Sequence, residues 1–240
     1  YVFKTGGLKM NNIPKLKEML LASHFTVAIT GAGISNSCGI ADMEKMNVLN
    51  AIETSLAPLV QMHPERSYNL LRKSFLKGIF EKGPSLTHRK ISTLEKDGLI
   101  QGTIITNIDH LHSLAGSTQV AEIQGSYAIN KCSQCGHHND NIEIWNNGHA
   151  PRCSKCNGLM LSFPVYSHVG VYEKAMTQAK QWMTKAELVL IVGSKGNYRY
   201  YLNNLSPSTS IIQINPQVTQ FDNIATLNIK DEADNVFKKL

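Results

Sequence analysis

The sequence lacks a long apolar run, and this absence excludes one class of protein at once. Hydrophobic residues make up 42% of the 240 residues, yet no stretch approaches the roughly 18 consecutive apolar residues that a membrane-spanning helix needs. No secretory signal opens the chain either. The sequence therefore predicts a globular protein without a membrane segment, and we expect it in the cytoplasm.

Clustered positive charge is also absent. Lys and Arg outnumber Asp and Glu by 24 to 18, which gives a net charge of +6 and favours acidic partners such as phosphates. The basic residues are scattered and form no arginine-rich arm or stripe, the usual electrostatic footprint of nucleic-acid binding. We therefore expect no nucleic-acid partner.

Cysteine is scarce, but four of the five cysteines are spaced for a metal. Cys132 and Cys135 form one Cys-x-x-Cys pair, Cys153 and Cys156 form another, and seventeen residues separate the pairs. This spacing is typical of a zinc ribbon, in which four thiolates fill the tetrahedral shell and the metal is structural. Disulfides are the alternative, which a chain without an export signal disfavours. We expect Cys38 to be a small packed residue.

A glycine-rich turn follows the first predicted strand. The apolar, β-branched run at residues 25–30 predicts a buried parallel strand, and Gly31-Ala32-Gly33-Ile34-Ser35 comes directly after it. Glycines between a strand and a helix let a diphosphate approach backbone amides and the helix N-terminus. The third glycine of G-x-G-x-x-G is missing at its usual spacing, since the next glycine is Gly39. The pattern alone therefore leaves a purely structural glycine turn open.

Further strands alternate with helices along the chain. The other predicted strands are 102–106, 187–192 and 210–214, and the predicted helices are 13–22, 64–80, 88–97 and 172–184. Such alternation predicts an α/β fold with a Rossmann-like, doubly wound parallel sheet, interrupted by an inserted small zinc-ribbon domain. We expect a Rossmann-type domain formed by residues 11–130 and 161–240, and a zinc-ribbon domain at 131–160.

The ordered set of motifs resembles the sirtuin family. The matching residues are 31–35, 39–42 (Gly-Ile-Ala-Asp), Pro84, His88, 106–112 (Thr-Asn-Ile-Asp-His-Leu-His), 115–116, 124–126 (Gln-Gly-Ser), both cysteine pairs, 193–194 and 214–215. The resemblance runs in order from about residue 24 to 216. It implies an NAD-binding cleft between a Rossmann-type domain and a zinc-bearing domain, and cleavage of the bond between nicotinamide and ribose.

The resemblance also implies which residues bind NAD. The cofactor-binding residues would be Gly31, Ala32, Gly33, Ile34, Asp42, Asn107, Asp109, Gly193, Ser194 and Asn215. Asp109 would accept a hydrogen bond from the nicotinamide carboxamide, and Asn107 would orient the ribose or a water molecule. A strand-end turn or a helix cap is the alternative role for each polar residue.

The chain departs from the family's pattern mainly on the acceptor side of the cleft. Residues 41–44 read Ala-Asp-Met-Glu where the family's cofactor loop carries Pro-Asp-Phe-Arg. Residues 161–165 lack the usual Phe-Gly-Glu, and 193–196 read Gly-Ser-Lys-Gly in place of Gly-Thr-Ser-Leu. Gln124 stands where the resemblance predicts a histidine.

Gln124 decides the expected chemistry, because glutamine cannot titrate and so cannot be a general base. Cleavage to nicotinamide needs only positioning and stabilisation of an oxocarbenium-like centre, which glutamine permits. The chain resembles a microbial, macrodomain-linked branch of sirtuins that carries Ile-Gln-Gly here and acts as protein ADP-ribosyltransferases. We therefore expect ADP-ribose transfer to a protein acceptor, with Asn107, Asp109, Gln124 and Arg199 as catalytic residues.

Two alternatives remain open. An NAD-dependent deacylase acting on a modified lysine would require an introduced Gln124, or His110 or His112 as the base, and both histidines begin the helix after a strand. A non-catalytic module that binds NAD or ADP-ribose would explain the lost loop residues. Nicotinamide release separates this module from the two enzymes, and the modified product separates the enzymes from each other.

Overall fold

A computed structural model of the chain describes residues 12–40, 47–167, 170–196, 202–203 and 205–240. Two residues selected from the sequence, Asp42 and Arg199, lie outside these ranges. In the part of the chain that is described, no helix is both long and apolar enough to cross a membrane.

The described elements alternate between strands and helices. The strands are β1 Thr26–Thr30, β2 Gly102–Ile105, β3 Val120–Glu122, β4 Asn130–Cys132, β5 His138–Asn139, β6 Met160–Ser162, β7 Leu188–Val192, β8 Ser210–Ile214 and β9 Leu227–Ile229. The α-helices are α1 Ile13–Ala22, α2 Val48–Ser55, α3 Ala57–Met62, α4 Pro64–Lys73, α5 Phe75–Lys77, α6 Leu86–Lys96, α7 Leu111–Leu114, α8 Phe163–Tyr166, α9 Glu173–Met183 and α10 Ala233–Phe237.

The main sheet has six parallel strands in the order β3-β2-β1-β7-β8-β9. Every residue of β1, β2 and β7 is buried, as expected when helices cover both faces of a parallel sheet. The chain winds outward in one direction from β1 and in the other from β7, so the strand order reverses between these two strands. This is the order of a doubly wound Rossmann fold, and the predicted fold class is confirmed.

Each face of the main sheet carries its own apolar core. Ala28 of β1 joins a core with Leu16 of α1 and Phe237 of α10. Its neighbour Val27 points to the opposite face and joins a core with Trp182 of α9. This division follows from the alternation of side chains along a strand.

A small antiparallel sheet, β5-β4-β6, is inserted between β3 and β7. Its core is shared with the helices of residues 48–82, since Trp145 and Leu161 pack in one cluster with Tyr68 and Leu76. The Tyr68 hydroxyl donates a hydrogen bond to the Trp145 carbonyl oxygen at 3.2 Å. Residues from the first predicted segment therefore support the ribbon, and the division at 130 and 160 stays a prediction.

The continuous helix predicted at 64–80 is wrong. Ser74 has φ −132° and ψ −79°, which ends α4, and the chain continues as α5 and then as a π-helical turn at Gly78–Lys82. A Cβ atom on Gly78 would lie 2.4 Å from Ile40 Cγ1. This close tertiary approach to the end of the glycine-rich loop is not visible in helical periodicity.

Candidate active site and zinc site

The loops that follow β1 and β7 meet where the strand order reverses. The Gly33 amide donates to the Gly193 carbonyl oxygen at 2.9 Å, and the Gly31 amide donates to the Val192 carbonyl oxygen at 3.1 Å. A Cβ atom on Gly31 or Gly33 would lie 2.8 Å from backbone atoms of residues 193–194. These glycines are therefore required for the approach of the two loops, whether or not a diphosphate also uses them. Nucleotides bind at such reversal points in doubly wound sheets.

Ser35, Asn107 and Asp109 form a hydrogen-bonded cluster at adjacent strand ends. Ser35 Oγ donates to Asp109 Oδ2 at 2.7 Å, and Asn107 Nδ2 donates to Ser35 Oγ at 3.0 Å and to Asp109 Oδ2 at 3.3 Å. Asp109 Oδ1 accepts from the Leu111 amide at 3.0 Å. The carboxylate is buried and Asn107 is half-buried. The structure thus brings together two residues selected from the sequence and holds their side chains in fixed orientations.

Gln124 lies in a tight turn directly after β3. The Gly125 amide donates to the Glu122 carbonyl oxygen at 2.9 Å, and Gly125 has φ 63°, which favours glycine. A Cβ atom on Gly125 would lie 2.2 Å from the ring of Phe163. Since β3 pairs with β2, whose end leads to Asn107, the turn lies on the strand next to the polar cluster. Gln124 itself is half-buried.

The third group of selected residues lies at the ends of β7 and β8. Asn215 Nδ2 donates to the Ser194 carbonyl oxygen at 3.0 Å, and Asn215 Oδ1 accepts from the Gln217 amide at 3.0 Å. Gly193 has φ 61° and donates its amide to the Ile214 carbonyl oxygen at 3.0 Å. These bonds give Asn215 a structural role in the turn at the end of β8, which was the alternative to NAD binding. A contact of Asn215 with NAD stays a prediction.

Comparison with known proteins decides the family. The sequence profile described as "Sir2 family" matches residues 31–198, which is more than half of the chain. This protein is a sirtuin. The family predicted from the motifs is confirmed, and membership of the macrodomain-linked branch stays a prediction.

Curated relatives and solved structures resemble this sirtuin over nearly its whole length. It is 31% identical over 233 residues to an NAD-dependent protein deacetylase of Sulfurisphaera tokodaii, covering 92% of this chain and 91% of the relative. It is 30% identical over 240 residues to an NAD-dependent protein deacylase of Pyrococcus furiosus, covering 94% and 95%. A solved structure that addresses the structural basis of sirtuin substrate affinity matches with a TM-score of 0.82 at 27% identity. The match covers 97% of this chain and 98% of the other. A complex of Sir2 with a p53 peptide and NAD⁺ matches with a TM-score of 0.75 at 26% identity, covering 95% and 96%.

Sirtuins use NAD as co-substrate, and the residues of this sirtuin fit it. The glycine loops meet at the reversal point, and the buried Asp109 carboxylate and the Asn107 amide lie at the carboxyl ends of the neighbouring strands. Oriented polar groups at this edge are what a dinucleotide needs for recognition. When bound, NAD would supply a ribose–nicotinamide bond with a good leaving group.

The four clustered cysteines fit a structural zinc ion. Their Sγ atoms all lie within 4.8 Å of one another, with 3.5 Å between Cys132 and Cys156 and 3.7 Å between Cys135 and Cys153. Tetrahedral Zn–S bonds of about 2.3 Å place sulfur atoms roughly 3.8 Å apart. The Gln134 amide points at Cys132 Sγ from 3.4 Å, as the predicted knuckle requires. None of the cysteines forms a disulfide, so the disulfide alternative is not seen.

The two histidines considered as substitute bases have different surroundings. His112 is buried, its Nε2 bonds Thr30 Oγ1 at 2.9 Å, and burial, together with neighbouring His88, lowers its pKa well below the usual 6.5. His110 Nδ1 lies 2.7 Å from Glu122 Oε1. Burial therefore argues against His112 as the base, whereas a carboxylate on Nδ1 is compatible with that role for His110.

The structure adds three residues that sequence analysis did not select for the site. They are Ser35, which binds Asp109, and Glu122 and Ser126, which flank the Gln124 turn and bond each other at 2.6 Å. Glu122 could have been found in the sequence as a carboxylate at the end of an apolar strand, because a buried carboxylate is costly unless it has partners. Its partner, His110, lies on a different strand end and could not be inferred from spacing.

Proposed function

We propose that this sirtuin cleaves the bond between nicotinamide and ribose of NAD and uses a protein as acceptor. The observation that carries the proposal is the Ser35–Asn107–Asp109 cluster beside the reversal point of the sheet. Asp109 would accept from the nicotinamide carboxamide, and Asn107 would orient the ribose. Residues 31–34 and 193–194 would line the diphosphate path. Fixed polar groups of this kind lower a barrier by orienting the reactants and stabilising developing charge.

Deacylation of a modified lysine is the better supported of the two reactions. The relatives from Sulfurisphaera tokodaii and Pyrococcus furiosus are a deacetylase and a deacylase, and related solved structures contain p53 and propionylated peptides. In this reaction the acyl-amide oxygen bonds to the anomeric carbon as nicotinamide leaves. A base then takes the proton of a ribose hydroxyl, which attacks the acyl carbon. A positioned histidine base contributes about 100- to 10,000-fold to such a step.

ADP-ribosyl transfer is the second candidate, and Gln124 is the residue that favours it. Glutamine can hydrogen-bond the ribose without titrating, so it supports cleavage but supplies no base for the later acyl step. Burial argues against His112 as a replacement base, which leaves only His110 of the two histidines considered. In this reaction a protein nucleophile bonds to the anomeric carbon as nicotinamide leaves, and the nucleophile loses its proton to solvent.

Mass spectrometry of the products distinguishes these reactions. The wild-type protein, Gln124→His and a control, Gln119→His, would each be incubated with NAD and a mixture of acylated and unmodified proteins. Gln119 is exposed, so the control makes the same substitution outside the site. Acyl loss with formation of acylated ADP-ribose supports the deacylase. A mass gain of one ADP-ribose without acyl loss supports transfer, and no nicotinamide from any of the three proteins contradicts the proposal.

A further inference from the structure

His110 has an unusual backbone conformation directly beside the site. Its φ of 63° and ψ of 12° lie in the left-handed region, and in the described ranges only Asn157 shares a positive φ without being glycine. A residue with a side chain disfavours this region and keeps it only where its surroundings impose it.

The His110 side chain is held by a buried carboxylate. Its Nδ1 lies 2.7 Å from Glu122 Oε1, and the two side chains are 23% and 9% exposed. The other carboxylate oxygen, Glu122 Oε2, accepts from Ser126 Oγ at 2.6 Å. Ser126 Oγ in turn accepts from the Ala128 amide at 3.3 Å. Glu122 therefore connects the loop after β2 to both sides of the turn that carries Gln124.

The His110 backbone is tied to Asp109. Asp109 precedes it directly, and Asp109 Oδ1 accepts from the amide of Leu111, the next residue after His110. The Leu111 amide thus holds one oxygen of the Asp109 carboxylate across the left-handed residue His110. The Tyr127 amide also donates to the Ile108 carbonyl oxygen at 3.1 Å, which joins the same two loops a second time.

We propose that His110 is a positioning residue: through its bond to Glu122 it fixes the Gln124 turn relative to the Asp109 carboxylate. The inference rests on the proposed cleavage of NAD, for which Gln124 must lie beside the ribose and Asp109 beside the nicotinamide attached to it. A small misplacement of such groups is enough to cost about a hundredfold in rate. His110 therefore acts on the reaction through Asp109 and Gln124.

The charges around His110 agree with this role. The ionisable groups that face it are Glu122, at the end of β3, and Asp109, on its own loop. Burial lowers the pKa of His110, but the bond to Glu122 and the charges of Glu122 and Asp109 outweigh it and raise the pKa above 6.5. The shift favours the protonated ring, which forms the stronger bond to a carboxylate.

Two variants and one control separate positioning from a general structural role. His110→Gly removes the side chain but suits the left-handed backbone, so it does not destabilise the fold through strain. Glu122→Gln keeps an acceptor for Nδ1–H and removes the charge, while its NH₂ group donates to Ser126 Oγ where the carboxylate accepts from it. His24→Gln removes an exposed imidazole that precedes β1, at the opposite end of that strand from the site.

The readouts are hydrogen exchange of the 122–127 amides, the melting temperature, and kcat and KM for nicotinamide release. For His110→Gly we expect faster exchange in this segment and kcat reduced about tenfold or more with KM for NAD nearly unchanged. The melting temperature should fall only slightly, because relief of the left-handed strain offsets part of the lost bond to Glu122. Glu122→Gln should show a smaller loss of kcat, and His24→Gln should match wild type.

Unchanged exchange in His110→Gly overturns the positioning role, and so does faster exchange with unchanged kcat. A strongly lowered melting temperature with kcat and KM altered together would indicate a structural role only. If the wild-type protein releases no nicotinamide, the proposed function fails. Hydrogen exchange of the 122–127 amides in wild type and His110→Gly then still shows whether His110 couples the two loops, since it does not depend on NAD cleavage.

Discussion

The Ser35 hydroxyl donates to Asp109 Oδ2 over 2.7 Å and joins the glycine-rich loop after β1 to the loop after β2. Both residues are buried, and Asn107 Nδ2 contacts the same carboxylate oxygen. The Ser35 hydroxyl thus orients the Asp109 carboxylate, the group proposed to bind the nicotinamide carboxamide. A hydrogen bond to a charged group contributes about 1.5–3 kcal/mol.

Ser35→Ala should lower kcat/KM for nicotinamide release about ten- to a hundredfold, because the Asp109 carboxylate loses the donor that orients it. Steady-state nicotinamide release measures the effect, and circular dichroism checks the fold. Ser208→Ala, in an exposed loop, is the matched control. A Ser35→Ala enzyme with the kcat/KM of wild type would show that this bond does not orient the site.

Gly33→Ala should weaken NAD binding, because the new methyl would lie 2.8 Å from Gly193 Cα and force the two loops apart. Overpacking of this kind costs about 1–3 kcal/mol, which corresponds to about a 5- to 150-fold rise in Kd if it falls on the bound state. Calorimetric titration with NAD gives the Kd. Gly98→Ala is the comparison: Gly98 has φ 73° and open space around it, so that variant should lose stability but keep NAD affinity. Equal NAD affinity in both variants would contradict the account.

Purified protein should contain one zinc ion per chain, since the four clustered thiols leave no ligand position open. Cys135→Ser should lose the metal and lower the melting temperature, because metal binding stabilises the folded ribbon. Cys38→Ala, which removes a buried cysteine outside the cluster, should keep the full zinc content. Elemental analysis measures the ratio, and zinc retained in Cys135→Ser would exclude this ligand set.

The bond between His110 and Glu122 should make stability depend on pH in one direction. The folded pKa of His110 is raised above 6.5, mainly because Glu122 outweighs the effect of burial. Its stabilising contribution is then fully present below about pH 6.5 and is lost as the pH rises through the folded pKa. The difference in unfolding free energy between wild type and His110→Gln should therefore shrink as the pH rises above about 6.5, as urea denaturation can show. A difference that grows with pH would mean that the folded pKa is lowered.

Gln124→His should increase deacylation of an acylated peptide, because it restores a titratable base. We expect a gain of about a hundredfold if the acyl step limits the wild-type rate, with nicotinamide release changed much less. Parallel assays of nicotinamide and acylated ADP-ribose measure the two steps. A Gln124→His variant without gain in deacylation would locate the limitation in the acyl-substrate side of the cleft.

Sequence patterns predicted the parts of the fold that depend on local order. The β-branched runs of β1, β7 and β8 lie where predicted, within one residue at each end, because fully buried strands leave an unbroken apolar signature. The strands β3 and β9 are three residues long and too short for any periodicity. Cysteine spacing predicted the metal cluster, since a short knuckle dictates its own geometry.

Contacts between distant residues could not be predicted in the same way. Ser35 and Asp109 are 74 residues apart, and only the pairing of β1 with β2 brings them together. The left-handed conformation of His110 and its bond to Glu122 likewise depend on the pairing of β2 with β3. The family resemblance assigned site roles to Asn107 and Asp109 but none to Ser35, Glu122 or Ser126. The roles of these three residues lie in their contacts with other residues of the site.

The most direct test of the account is the rate of nicotinamide release from NAD by wild type, Asn107→Ala and Asn146→Ala, with an acylated protein extract present. Asn146 is exposed on the small domain and serves as the matched control. We predict release by wild type and Asn146→Ala, and a loss of about a hundredfold or more in Asn107→Ala at an unchanged melting temperature. No release by the wild-type protein at saturating NAD, or equal rates in all three proteins, would contradict NAD cleavage at this site.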